Sequence, residues 1–112
     1  MTSSHHHLTV AESLRHLPGP NGERFAELFT HGTLGIEIYA PRGTDPQTPH
    51  SRDEVYIGAA GSGWVRNGTE RHRFGPGDFL FVPAQVEHRF EEFTDDLVVW
   101  VMFYGPEGGE VR

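Results

Sequence analysis

The sequence predicts an all-β domain, a small antiparallel sandwich or barrel, with one short N-terminal helix. Three observations predict it. Fourteen glycines and eight prolines cut the 112-residue chain into short pieces, as tight turns between strands require. From residue 24 onward, eight short apolar-rich runs follow one another with polar separators. Only one helix-start signal precedes them.

That signal is Thr9 followed by Glu12, the spacing of a capping box. Val10, Leu14 and Leu17 then share one helical face, and "PGPNG" at residues 18–22 ends the helix. The strands are expected at 24–30, 33–40, 54–60, 63–67, 71–74, 78–82, 88–93 and 97–104. Their separators, among them "HG", "PRGTDPQTP", "NGTE" and "GPG", carry turn chemistry, and Asn67-Gly68 marks a tight hairpin. The expected organisation is a single domain over residues 9–104, with a flexible N-terminus at 1–8 and a frayed tail at 105–112.

Composition narrows the partners. A formal charge of −7 with no run of Lys or Arg argues against nucleic acid, which needs clustered cations. No apolar stretch reaches the roughly 20 residues of a membrane helix. The stretch "MTSSHHHLTVAES" lacks the apolar core of a secretory signal, so a cytoplasmic location is expected. The chain has no cysteine, which excludes disulfides and thiolate metal sites. His5, His6 and His7 read as a terminus or tag remnant that binds metal loosely at most.

The run 97–104, "LVVWVMFY", is apolar without alternation. A strand with one wet face would alternate, so both faces should be covered. One lines the core; for the other, a second copy of the chain is the simplest cover, which makes a homodimer the expectation.

Two stretches carry candidate chemistry. "QTPHSRDEVYIGAAGSG", residues 47–63, places His50 four residues before Glu54. On one extended strand that spacing separates side chains by about 13 Å, too far to share an ion. The two converge only if Ser51, Arg52 and Asp53 turn the chain. "GPGDFLFVPAQVEHRFEEF", residues 75–93, puts His88 at a strand entrance just after Pro83. Two imidazoles and one carboxylate with open positions suit non-haem Fe(II), and Mn, Ni or Zn can occupy such a set.

These stretches resemble the two motifs of the cupins, G-x5-H-x-H-x(3,4)-E-x6-G and G-x5-P-x-G-x2-H-x3-N. Gly77, Pro83 and His88 match the second motif, with Gln85 in place of its glycine and Glu92 in place of its asparagine. Glu54 and Gly61 keep the spacing of the first motif, and His50 falls on its second histidine. Thr48 stands where the first histidine belongs. The resemblance covers roughly residues 39–104. It implies a small jelly-roll barrel, often a homodimer, with a divalent metal held inside by His50, Glu54 and His88.

Further ligand or pocket candidates are Gln47, beside the missing histidine; Tyr56, on the Glu54 face; and His72, on the face of Phe74. Arg52, Arg66, Arg71 and Arg73 are candidates for holding an anionic substrate, though such residues are usually surface charges. His31 in "THGT" reads as a turn. Taken singly, each histidine is more readily a solvated loop residue than a ligand. Three functions stay open: a metal-dependent oxygenase, isomerase or lyase; a non-catalytic module that binds or senses a small molecule; and a barrel with no ligand at all.

Overall fold

The computed structural model describes residues 6–111, so His5 of the histidine triplet lies outside the described residues. The elements run α1 (Val10–Leu14), β1 (Phe25–His31), β2 (Leu34–Tyr39), β3 (Asp53–Ala60), β4 (Gly63–Asn67), β5 (Glu70–Phe74), β6 (Phe79–Val82), β7 (His88–Glu91) and β8 (Val98–Tyr104). All eight expected strands are present. His31 belongs to the end of β1 rather than to the turn that follows it.

The strands form two antiparallel sheets, a five-stranded one in the order β1-β2-β8-β3-β6 and a three-stranded one in the order β5-β4-β7. Apart from the consecutive pairs β1–β2 and β4–β5, neighbours in space are distant in sequence, as in a jelly roll. Strand β8 sits at the centre of the larger sheet, paired with β2 and β3. Its alternate residues enter two separate clusters. Val99 and Val101 join Tyr56, Val65 and Phe90 between the sheets, whereas Val98 joins Ile38 and Ala40 on the outer face.

The helix covers part of that outer face. The Thr9 hydroxyl accepts from the Glu12 amide at 3.1 Å, satisfying an N-terminal donor. Val10, Leu14 and Leu17 pack on the Ile38 cluster, as their spacing suggests. The helix itself stops at Leu14, one turn earlier than the periodicity implied. Pro18 disfavours helical backbone at Leu17, which therefore packs from a turn.

The C-terminal segment is pinned, contrary to the expected fraying. The Gly108 amide donates to the Ser51 carbonyl at 2.6 Å. The Glu110 amide donates to Asp53 Oδ2, and the Ala84 amide to Asp53 Oδ1, each at 2.9 Å. These backbone donors, Glu110 first and then Ala84, hold the Asp53 carboxyl below the usual carboxylate range. One carboxylate thus ties the start of β3 to the chain after β6 and to the tail.

Both departures from the second cupin motif fall on left-handed backbone. Gln85 has φ +69° and Glu92 φ +47°, a region that glycine and asparagine enter most readily. The motif's glycine and asparagine would suit these positions, and here the backbone keeps the conformation without them. Among the described residues, no helix is long and apolar enough to cross a membrane.

Two expectations follow. Gln85→Gly removes about 1–2 kcal/mol of left-handed strain and returns about 0.5–1 kcal/mol to the unfolded chain. The variant should therefore melt a few degrees higher, and a lower midpoint in differential scanning calorimetry contradicts this. Asp53→Asn should melt lower at neutral pH. Because the folded Asp53 pKa is depressed, its stabilisation is complete above the unfolded value near 3.8 and disappears as pH falls through the folded value. The gap in melting temperature between wild type and variant should be full at pH 6 and shrink below about pH 4. A gap independent of pH would show that the carboxylate charge contributes nothing.

Candidate metal centre

The candidate residues come from three parts of the fold. Glu54 is the second residue of β3, and its cross-strand neighbours Val82 and Phe103 flank it. His88 opens β7 in the smaller sheet. His50 lies in the connection between β2 and β3, which bends at Ser51 and Arg52 before β3 begins. That bend supplies the turn that the four-residue spacing demanded. His50 Nδ1 comes within 2.7 Å of Glu54 Oε1, and His88 Nε2 within 3.3 Å of the same oxygen.

The three potential donor atoms lie within 4.8 Å of one another. The Glu54 and His88 side chains are each 1 % exposed. His50 stacks edge-on against Phe103 at 5.1 Å, so the site is floored by an apolar ring. Distances are short, but the angles miss hydrogen-bond geometry: His50 Nδ1, both Glu54 oxygens and His88 Nε2 are buried without a hydrogen-bond partner. Buried polar atoms in proteins are nearly always satisfied. Four unsatisfied atoms converging on one point fit a cation between them.

Orientation supports the same fit. His88 Nδ1 lies 3.0 Å from the Val86 carbonyl, which can only accept. The proton therefore sits on Nδ1, and the Nε2 lone pair faces Glu54, the tautomer a metal ligand needs. The Glu54 carboxylate raises the His50 pKa above its ordinary value, with burial opposing it. A proton and a cation would compete for that nitrogen.

Beside His50 opens a cavity of about 510 Å³, within the size range of small-molecule sites. Phe25, Glu37, Tyr39, Gln47, Thr48 and Phe103 are among its walls. Thr48 thus occupies the motif's empty histidine position and lines open space. Glu37 is a residue that sequence reasoning missed. Its pKa is pushed up to about 7 by burial and then by Glu27, with His50 opposing. Glu27 is its register partner on β1. The signal was a lone acid in "LGIEIY", on the face of Gly35 and Tyr39 that turns inward.

The remaining candidates separate. The Gln47 side chain lines the cavity, but its Oε1 accepts from the Tyr56 hydroxyl at 2.8 Å and its Nε2 donates to Asp45 at 2.9 Å. Both ends of the amide are engaged. Tyr56 is fully buried in the core, its ring 5.2 Å from Phe90 and 5.9 Å from His88. Burial pushes its hydroxyl well above the ordinary range. His72 lies apart from the cluster. It shares the Phe74 face, but at an open edge, where it is 54 % exposed and pairs with Glu70. It lines a different depression, with Phe74, Asp78 and Phe79.

The four candidate arginines face elsewhere, although Arg24 is among the residues that line the cavity. Arg66 and Arg71 pair with Glu91, and Arg71 and Arg73 lie over the Trp64 ring. Arg52 donates to the Thr33 and Gly105 carbonyls. None of these four lines the cavity.

Comparison with known proteins agrees with this fold. The uncharacterized protein SCO3923 of Streptomyces coelicolor is 33 % identical over 89 residues, 78 % of this chain and 85 % of its own length. KdgF from Halomonas sp. superposes with a TM-score of 0.64 at 19 % identity, covering 74 % of this chain and 78 % of its own. The DMSP lyase DddQ from Ruegeria pomeroyi DSS-3 gives a TM-score of 0.63 at 25 % identity, covering 88 % of this chain and 55 % of its own. The sequence model of the cupin domain matches residues 35–104, and the chain belongs to the cupin family.

Proposed function

We propose that this barrel binds one divalent ion through His50, Glu54 and His88 and uses it to hold a small molecule in the adjoining cavity. The observation that carries the reading is the convergence of four buried donor atoms with no hydrogen-bond partner. Nitrogen and oxygen donors without thiolate suit Fe, Mn, Ni or Zn. Three protein ligands leave positions open, and an ion held there supplies Lewis-acid polarisation of an oxygen-bearing ligand. The chain contributes the rest. Phe25, Tyr39 and Phe103 give the cavity apolar walls, and Glu37 places on its lining a carboxyl that burial pushes above the ordinary carboxylate range.

Glu37 favours catalysis as a second reading, of oxygenase, isomerase or lyase type, over simple binding or sensing. The test begins with metal analysis of protein in which His5, His6 and His7 are alanine. It should contain one ion per chain, and His88→Ala or Glu54→Ala should abolish it. Unchanged stoichiometry in both variants overturns the assignment. Screening the loaded protein against small acids, phenols and sugars, with oxygen consumption followed, then separates catalysis from storage.

The same reading includes a homodimer. Outer-face residues Phe29, Ile36, Met102, Val55 and Phe81 line up across all five strands of the larger sheet, and the helix packs over the neighbouring Ile38–Val98 cluster instead. A standard interface needs about 800 Å² per partner; Phe81 at 39 % and Phe79 beside it at 65 % are the most exposed residues of this row, so the surface around it must contribute the rest. Light scattering at micromolar concentration should give twice the 12.6 kDa chain mass. Met102→Lys combined with Phe79→Lys should return it to one. A wild-type mass near 12.6 kDa removes the dimer.

A further inference from the structure

His50 is held in a connection with no strand of its own, so something must fix it against Glu54 and His88. The Asp45 carboxylate, buried at 4 % exposure, lies in the same connection. Four donors surround it. The Tyr39 hydroxyl from β2 donates to Oδ1, as does the Gln47 amide at 3.3 Å. The Gln47 side chain donates to Oδ2 at 2.9 Å, and the Phe90 amide of β7 donates to Oδ2 at 2.8 Å.

These contacts reach every element that bears a candidate ligand. Phe90 lies two residues beyond His88 on β7 and faces the same way. Gln47 passes the connection on to the Tyr56 hydroxyl, two residues beyond Glu54 on β3. The connection itself carries His50, whose carbonyl accepts from the Gln85 amide at 2.7 Å. Buried carboxylates accepting several hydrogen bonds order their surroundings strongly, because each lost bond leaves a desolvated polar group.

We propose that Asp45 is the positioning residue of the metal centre, fixing the β2–β3 connection to β7 directly and to β3 through Gln47, so that His50, Glu54 and His88 meet. It touches no ligand atom and acts through the backbone and Gln47. The inference rests on the metal reading above.

The test uses the full chain with His5, His6 and His7 replaced by alanine, titrated with Co(II) and followed by visible absorption and by competition with a chelator. Asp45→Asn and Asp45→Ala should bind Co(II) about 10–100-fold more weakly. At saturation their ligand-field bands should differ from those of wild type, with the asparagine variant intermediate. Gln47→Met, which cuts the link to Tyr56 together with the side-chain donor to Asp45 Oδ2 but keeps the Asp45 carboxylate and its Tyr39 and Phe90 donors, should shift the same bands and carries the test with Asp45→Asn if the alanine variant does not fold. A lower melting temperature with wild-type affinity and bands reduces Asp45 to a prop for the loop and overturns the proposal. A wild type that binds no Co(II) overturns the metal reading itself, a failure distinct from variants that match a metal-binding wild type.

Discussion

Strand β8 is the constraint on which the rest depends. It is central in the larger sheet, and its residues alternate between two dry environments. Val99 and Val101 hold the inner core together, while Val98 requires the helix and the outer cluster. Because β8 pairs with β3 in a fixed register, Phe103 stands directly across from Glu54. A one-residue slip would turn that carboxylate outward and send every core side chain of the strand with it. The packing of β8 thus sets where the Glu54 carboxylate points.

The site departs from its family's motifs in two different ways. Gln85 and Glu92 replace residues valued for their backbone freedom, and the left-handed backbone is kept at both positions. The Gln85 amide still reaches the His50 carbonyl, and Glu92 pairs with Arg71. Thr48 replaces a residue valued for its side chain. Among the described residues, no further imidazole joins the cluster of His50, Glu54 and His88; the position opens on the cavity instead.

Much of the fold was legible because turn chemistry and strand patterning are local. All eight strands could be read within a few residues of their ends, and the Thr9–Glu12 cap marked the helix. The helix end was misjudged because Leu17 keeps helical spacing while Pro18 forbids the backbone. The meeting of His50, Glu54 and His88 was legible through motif spacing, and the required bend could be inferred from the reach of an extended chain. Glu37, Asp45 and the tail were not. Their roles arise from the register of β1 on β2, from Phe90 of a strand 45 residues later, and from Glu110 folding back 57 residues to Asp53. No window of sequence contains such pairs. His72 shows the converse: the parity of its strand was right, yet its place near an open edge left it wet.

The larger sheet ends in two unlike margins. Strand β6 has only four residues, its Phe81 carbonyl accepts from the Asn67 side chain at 3.0 Å, and Pro83 follows it with no amide hydrogen to offer. Strand β1 carries an irregularity between Glu27 and Phe29. Short length, a capped acceptor, proline and a bulge are the devices that stop a free edge from recruiting another strand. Phe79, 65 % exposed on β6, would otherwise make that margin a template for fibrils or swapped strands. The apolar surface of this sheet is left able to associate through its face, while ladder extension along its rims is discouraged.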